Sequence, residues 1–103
     1  MARANSIKKN YNFVDYELMI EILGKKIQER RNEKGMTLNM LATYSKTDRN
    51  SIRRIEQAQN KNGATTLNLF RVAVALDISL QELFKEIDIY CKYGIKKYPD
   101  KHE

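Results

Sequence analysis

The sequence predicts an all-α fold, with five helices in one domain. Apolar residues recur at intervals of three and four along most of the chain, which is the spacing of one face of an α-helix. Residues that favour helix N-termini precede these stretches, and segments containing Asn or Gly separate them. No segment shows a persuasive strand pattern. With 103 residues, the chain is long enough for one domain and too short for two.

The first two helices are predicted from the residues at their ends. Asp15 can cap a helix over residues 16–34, and Gly35 follows where a left-handed residue commonly ends a helix. Gly24 interrupts the interior of this helix and should weaken it by about 1 kcal/mol relative to Ala. A short second helix opens at Thr37 and ends near Ser45. The apolar face of the first helix consists of Leu18, Ile22, Leu23 and Ile27.

Three more helices follow. Asp48 can cap the third, and a loop with the sequence AQNKNGA separates it from a fourth helix that starts at Thr65. Ser79 and Glu82 have the spacing of a capping box at the start of a fifth, which Gly94 would end. We therefore expect a flexible N-terminal arm at 1–14, a helical domain at 15–92 with its central helix pair at 37–57, and a polar tail at 93–103.

Charge is distributed unevenly along the chain. The formal net charge is +6 and the pI about 9.5, which favours a polyanionic partner without identifying one. Residues 37–63 contain five basic and two acidic residues, a net of +3, whereas residues 64–88 contain two and four, a net of −2. The basic character therefore coincides with the second and third predicted helices.

The sequence lacks the side chains that most enzymes and metal sites need. It has one His, His102, and one Cys, Cys91, so neither a zinc site nor a Cys–His pair can be assembled. Its four glycines are scattered and form no phosphate-binding loop. We expect no enzymatic activity, no metal and no cofactor. We also expect a cytoplasmic protein, because we find no signal peptide or membrane span and a single cysteine fits a reducing compartment.

The third predicted helix has one apolar side and one cationic side. Ile52 and Ile55 form the apolar stripe, and the opposite side is either an ordinary solvated face or a surface that binds an anionic partner. Only the three residues KTD separate this helix from the second, and two short helices with so tight a connection form a helix-turn-helix. The small, apolar inner faces that this packing requires come from Leu41, Ala42, Ile52 and Ile55.

Residues 23–84 resemble the XRE-type helix-turn-helix regulators, the group of phage lambda repressor and Cro. The resemblance rests on four pieces in the family's order and near its spacing: R-x-x-x-G at 31–35, Leu41–Ala42, I-x-x-I-E at 52–56 and A-x-A-L at 73–76. The Asp-Arg start of the third helix, at 48–49, is also similar to the controller proteins of restriction–modification systems, a weaker match.

This resemblance implies a five-helix domain whose third helix lies in the major groove of DNA. Arg31 and Glu56 would form a partly buried ion pair, and backbone N–H groups near Thr37 and Leu38 would hold phosphates. The residues that would read bases are Arg49, Asn50, Arg53 and Arg54. Further phosphate contacts are expected from Gln57, Gln59 and Lys61.

The sequence departs from the family pattern around its turns. Leu38 replaces the usual phosphate-binding Gln, and Thr47 replaces an apolar residue that fills the core. Lys46 and Ala58 stand where the family has glycine. Lys46 must therefore adopt a positive φ, at a cost of about 1 kcal/mol, or remodel the turn.

The helices at the two ends extend beyond the family motif. Past Ile87 the sequence shows no internal partner for the apolar face of the fifth helix, and exposed apolar faces commonly mark interfaces. We therefore expect a homodimer; the alternative is that the two helical extensions cover each other within a monomer. The expected interface residues are Leu83, Ile87, Tyr90 and Cys91.

Two functions follow from these observations. The first is a sequence-specific DNA-binding transcriptional regulator, a repressor, that binds double-stranded DNA at a near-palindromic operator as a dimer. The second is a protein-binding module, such as an antitoxin or adaptor, on the same scaffold. It is favoured by the departures around the second helix and by the unassigned apolar ends.

Overall fold

The computed structural model describes residues 15–59 and 64–93, and the described residues form five helices without a strand. The predicted arm at 1–14, Lys61 and the tail beyond Tyr93 lie outside this range. The all-α prediction is confirmed. The helices are α1 Tyr16–Glu33, α2 Leu38–Ser45, α3 Arg49–Glu56, α4 Thr66–Ala75 and α5 Leu80–Tyr93.

A side chain caps the N-terminus of every helix. In each case it accepts a hydrogen bond of 3.0–3.2 Å from the backbone N–H three residues later. These bonds satisfy N–H groups that have no partner within the helix, which fixes where each helix begins. The capping residues are Asp15, Thr37, Asp48, Thr65 and Ser79.

The helices enclose one apolar core. α1 packs against α3 and α5, while α2 packs against α3 and α4. Every helix contributes at least one side chain that solvent hardly reaches, and the predicted apolar face of α1 is entirely buried. The most deeply buried side chains are Ile22, Ile27, Leu41, Ile52, Val72, Leu76, Leu83 and Tyr90.

The predicted dimer interface on the fifth helix is wrong, because its residues pack inside the chain itself. Leu83 and Tyr90 are buried and Ile87 is only 9% exposed, while Cys91 is half-buried against the same core. The backbone N–H of Asp15 donates a 2.7 Å hydrogen bond to the Tyr90 hydroxyl. The N-terminal end of α1 thus covers the C-terminal end of α5. This is the alternative that the sequence left open, in which the two helical extensions cover each other within a monomer.

One apolar face of the domain remains uncovered. Leu67, Phe70 and Val74 lie three and four residues apart along α4, and they are 54%, 47% and 81% exposed. We call these three residues the α4 face. The inward side of the same helix carries Val72 and Ala73, which are buried. Within 15–59 and 64–93, no helix is both long and apolar enough to span a membrane.

Candidate nucleic-acid interface

α3 presents a cationic side away from the core. It begins at Arg49, directly after its cap Asp48, and its buried residues Ile52 and Ile55 fix which side faces inward. The polar side chains therefore point outward. Of the four residues expected to read bases, Arg49, Asn50 and Arg54 are exposed, and Arg53 is half-buried.

The arginines of α3 keep their charge available for a partner. The salt bridges among the described residues involve Lys26, Arg30, Arg31 and Lys92, and none involves an arginine of α3. No acidic side chain of the described fold therefore neutralises Arg49, Arg53 or Arg54. A helix of eight residues whose three guanidinium groups form no salt bridge with a described residue is well suited to bind an anionic partner.

Gly24 sets the distance between α1 and α3. A Cβ atom at this position would lie 2.9 Å from the carbonyl oxygen of Glu56 and closer still to that of Ile55. Both are backbone atoms, so α3 would have to move to make room. From the sequence, only the cost of glycine within a helix is expected here; the isolated glycine inside a helical pattern is the signal that could have indicated this close approach.

A buried ion pair ties the end of α3 to α1, as the family resemblance implies. Arg31 donates from Nε to Glu56 Oε2 at 2.7 Å and from Nη2 to Oε1 at 3.0 Å. Its Nη1 also donates to the carbonyl oxygen of Met36 at 2.8 Å. The hydrogen bond to Glu56 raises the pKa of Arg31 above its ordinary value, against the opposing effect of burial. Glu56, whose side chain is 3% exposed, is thereby turned away from any DNA bound at α3.

The turn between α2 and α3 keeps its shape without glycine. Lys46 takes the left-handed conformation, with φ 55° and ψ 37°, and its backbone N–H donates to the carbonyl oxygens of Ala42 and Thr43, the latter at 3.4 Å. Thr47 is 7% exposed, and its hydroxyl donates to the carbonyl oxygen of Ser45 at 3.3 Å. The threonine can therefore fill the core position at which the family has an apolar residue.

The residues expected to contact phosphates lie before and after α3 in the chain, and they differ in which groups they expose to a phosphate. Thr37 is exposed and caps α2, whereas the side chain of Leu38 packs against the core, which leaves only its backbone N–H for a phosphate. Gln57 and Gln59 are exposed just after α3. Lys61 lies outside the described residues. In 15–59 and 64–93, no group of three or more His, Cys, Asp or Glu residues is placed to hold a metal ion.

Comparisons with known proteins agree with this geometry. A family model described as helix-turn-helix matches residues 27–83. The crystal structure of the restriction-modification controller protein C.AhdI from Aeromonas hydrophila is similar, with 32% sequence identity and a TM-score of 0.59. The similarity covers 63% of this chain and 96% of C.AhdI. A search of curated proteins finds no match. The chain belongs to the XRE-type helix-turn-helix family of DNA-binding transcriptional regulators.

Proposed function

We propose that this regulator reads the major groove with α3 and represses transcription as a dimer on a near-palindromic operator. The observation that carries the proposal is the outward side of α3, where three arginines have no acidic partner among the described residues. The helix is fixed in place by its isoleucines, by Gly24 and by the Arg31–Glu56 pair. A cationic helix held this firmly can select among base sequences.

The side chains on this surface match the chemistry of base edges. Arg can donate two hydrogen bonds to guanine O6 and N7, and Asn can form a bidentate pair with adenine N6 and N7. Each such pair contributes about 1–3 kcal/mol of discrimination against other bases. Arg49, Asn50, Arg53 and Arg54 therefore favour an operator half-site that contains guanines, with some of the arginines bound to phosphates instead.

The contacts to the DNA backbone give the complex a strong dependence on salt. Thr37, the N–H of Leu38, Gln57, Gln59 and Lys61 are the proposed phosphate contacts, about five per subunit. Each contact that releases a counterion contributes about −0.9 to the slope of log K against log salt. Only cationic groups release counterions, so Lys61 and those arginines of α3 that bind phosphates carry this dependence; if all four do so in both subunits of a dimer, the slope should approach about −7.

The reading role of α3 can be tested by selection and substitution. Selection of bound duplexes from a random pool should yield a near-palindrome whose half-sites lie about 34 Å apart, one turn of the double helix. Arg53→Ala and Arg54→Ala should then weaken binding to that sequence. Lys85→Ala, which removes an exposed cation from α5, is the matched control and should not.

Each outcome of this experiment has a clear meaning. Retained affinity in both arginine variants, with α3 still folded by circular dichroism, would reject base reading by this helix. If the wild-type protein binds no duplex tightly even at low salt, the regulator proposal fails. The second candidate, a protein-binding module with a protein partner, would then be favoured, because the α4 face is an exposed apolar surface of the kind that partners cover.

The α4 face is the proposed contact between two copies of the chain. From the exposed fractions of Leu67, Phe70 and Val74, it presents roughly 300 Å² of apolar surface. A standard interface buries about 800 Å² per partner, of which about 60% is apolar. This face therefore supplies more than half of the apolar area that a dimer needs. α4 packs mainly on α2 and α5 rather than on α3, so we expect its outer side to stay free when α3 binds DNA.

Dimer formation through α4 is tested with one charged substitution. Val74→Glu places a carboxylate on the most exposed residue of the face, and sedimentation equilibrium should show that it shifts the protein to monomers. Gln28→Glu adds the same charge at an exposed position of α1 and should leave the dimer intact. A wild-type protein that stays monomeric at every concentration, or a Val74→Glu variant that remains dimeric, would exclude this interface.

The proposed repressor role is supported by the small size of the domain, if its operator overlaps a promoter. The described part of the chain is one small domain, and a dimer bound across a promoter would block access to the same DNA. Transcription in vitro from a promoter that overlaps the selected operator should fall as the regulator is added. A rise in transcription from that template would identify an activator instead.

A further inference from the structure

Lys46 has a backbone conformation that is unfavourable for lysine, and its ammonium group forms no salt bridge with a described residue. Its φ of 55° lies in the left-handed region, where a Cβ atom crowds the following carbonyl oxygen and glycine is preferred. The side chain is exposed, and it forms no salt bridge with any described residue. No salt bridge within the described fold therefore offsets the conformational cost of having lysine here.

Among the described residues, two others that are not glycine share this conformation, and they show that the backbone alone does not imply a role. Ala58 and Asp77, with φ 54° and 52°, also follow helices. Asp77 contributes to the fold, because its carbonyl oxygen accepts a 3.0 Å hydrogen bond from Arg30. Ala58 has no functional group on its side chain. Lys46 differs from both because it adds, at its strained position, a cation that no described residue pairs with.

The position of Lys46 suggests what the cation does. It lies three residues before Arg49, the first residue of α3, so the two Cα atoms are at most about 11 Å apart. The major groove is about 12 Å wide and is bordered by phosphates on both sides. We propose, on the basis of the DNA-binding function proposed above, that Lys46 contacts a backbone phosphate at the edge of the groove that α3 enters.

Three substitutions separate the charge of Lys46 from its backbone conformation. Lys46→Gln removes the charge and keeps the strained backbone. Lys46→Gly removes the charge and relieves the strain. Ala58→Gly is the matched control, because it relieves the same strain and removes no charge. Each is measured by thermal unfolding and by binding to the selected operator at several salt concentrations.

The three variants should differ in how their thermal stability and their operator binding change. Lys46→Gln and Lys46→Gly should each make the salt slope shallower by about 0.9 for every subunit bound. Over the tenfold interval from 1 M to 0.1 M salt, this corresponds to about eightfold weaker binding per subunit at 0.1 M. Both glycine variants should raise Tm by about 4 °C, since relief of strain outweighs the greater freedom of glycine in the unfolded chain. Lys46→Gly should thus be more stable yet bind more weakly.

The results that overturn the phosphate contact are distinct. If Lys46→Gln keeps the affinity and the salt slope of the wild-type protein, the phosphate contact is overturned. This holds even if Lys46→Gly binds weakly, because the change in backbone conformation would then explain the weaker binding. Weaker binding by Ala58→Gly of the same size as that of Lys46→Gly would also overturn it. A wild-type protein that binds no duplex would overturn the proposed function itself, and the Lys46 contact with it.

Discussion

Replacing Gly24 by alanine should destabilise the protein, although helix propensity alone predicts the opposite. Alanine is favoured over glycine inside a helix by about 1 kcal/mol. In the structure, however, the added Cβ would lie 2.9 Å from the carbonyl oxygen of Glu56 and closer to that of Ile55. Overpacking against side chains that can adjust typically costs about 1–3 kcal/mol. Backbone oxygens cannot rotate away, so we take the upper end, and the net loss is about 2 kcal/mol.

The loss should be measurable by thermal and urea unfolding. For a domain of this size, about 2 kcal/mol lowers Tm by about 8–16 °C. Lys25→Gly, at the exposed neighbouring position of α1, measures the propensity effect alone and should cost somewhat less than 1 kcal/mol. Because α3 must shift to admit the methyl group, Gly24→Ala should also weaken DNA binding under conditions where the variant is folded. A Tm that rises by several degrees would refute the reasoning.

Two further substitutions test the contacts that hold the helices together. Glu56→Ala leaves the largely buried guanidinium of Arg31 without its partner and should cost about 3–5 kcal/mol in urea unfolding. Glu33→Ala, which breaks an exposed pair, should cost less than about 1 kcal/mol, and equal losses would show that burial is not the cause. Tyr90→Phe removes the hydrogen bond from the Asp15 N–H and should cost about 0.5–1.5 kcal/mol. An unchanged free energy of unfolding would mean that water replaces the hydroxyl.

The helices were predictable from the sequence because their ends carry local signals. Asp15, Thr37 and Asp48 cap the helices that they were expected to cap, since a cap depends only on a side chain and the N–H three residues later. The first helix ends at Glu33, one residue before the predicted end. The site on α3 was partly predictable for the same reason, because two isoleucines three residues apart define which side of a helix is outward.

The contacts between distant segments could not be predicted in this way. The apolar face of α5 looked unpartnered because nothing in its own sequence shows that the start of α1 lies across it. The 75-residue separation of Asp15 and Tyr90 makes their hydrogen bond invisible to any local pattern. Conversely, no local pattern in the sequence assigns a role to Leu67 and Phe70, and only the folded structure shows that they point outward.

The outward charge and the inward contacts of α3 depend on each other. The three guanidinium groups of α3 have no acidic partner in the described part of the chain and repel one another, so the charged side of the helix does not hold it in place. Instead, α1 holds α3 in place from its inward side, through the close approach at Gly24 and the ion pair between Arg31 and Glu56. Base reading requires side chains placed within about 0.5 Å. Specificity should therefore depend on residues of α1 that never touch DNA, and their loss should impair discrimination between operators more than general affinity for DNA, which the charge alone provides.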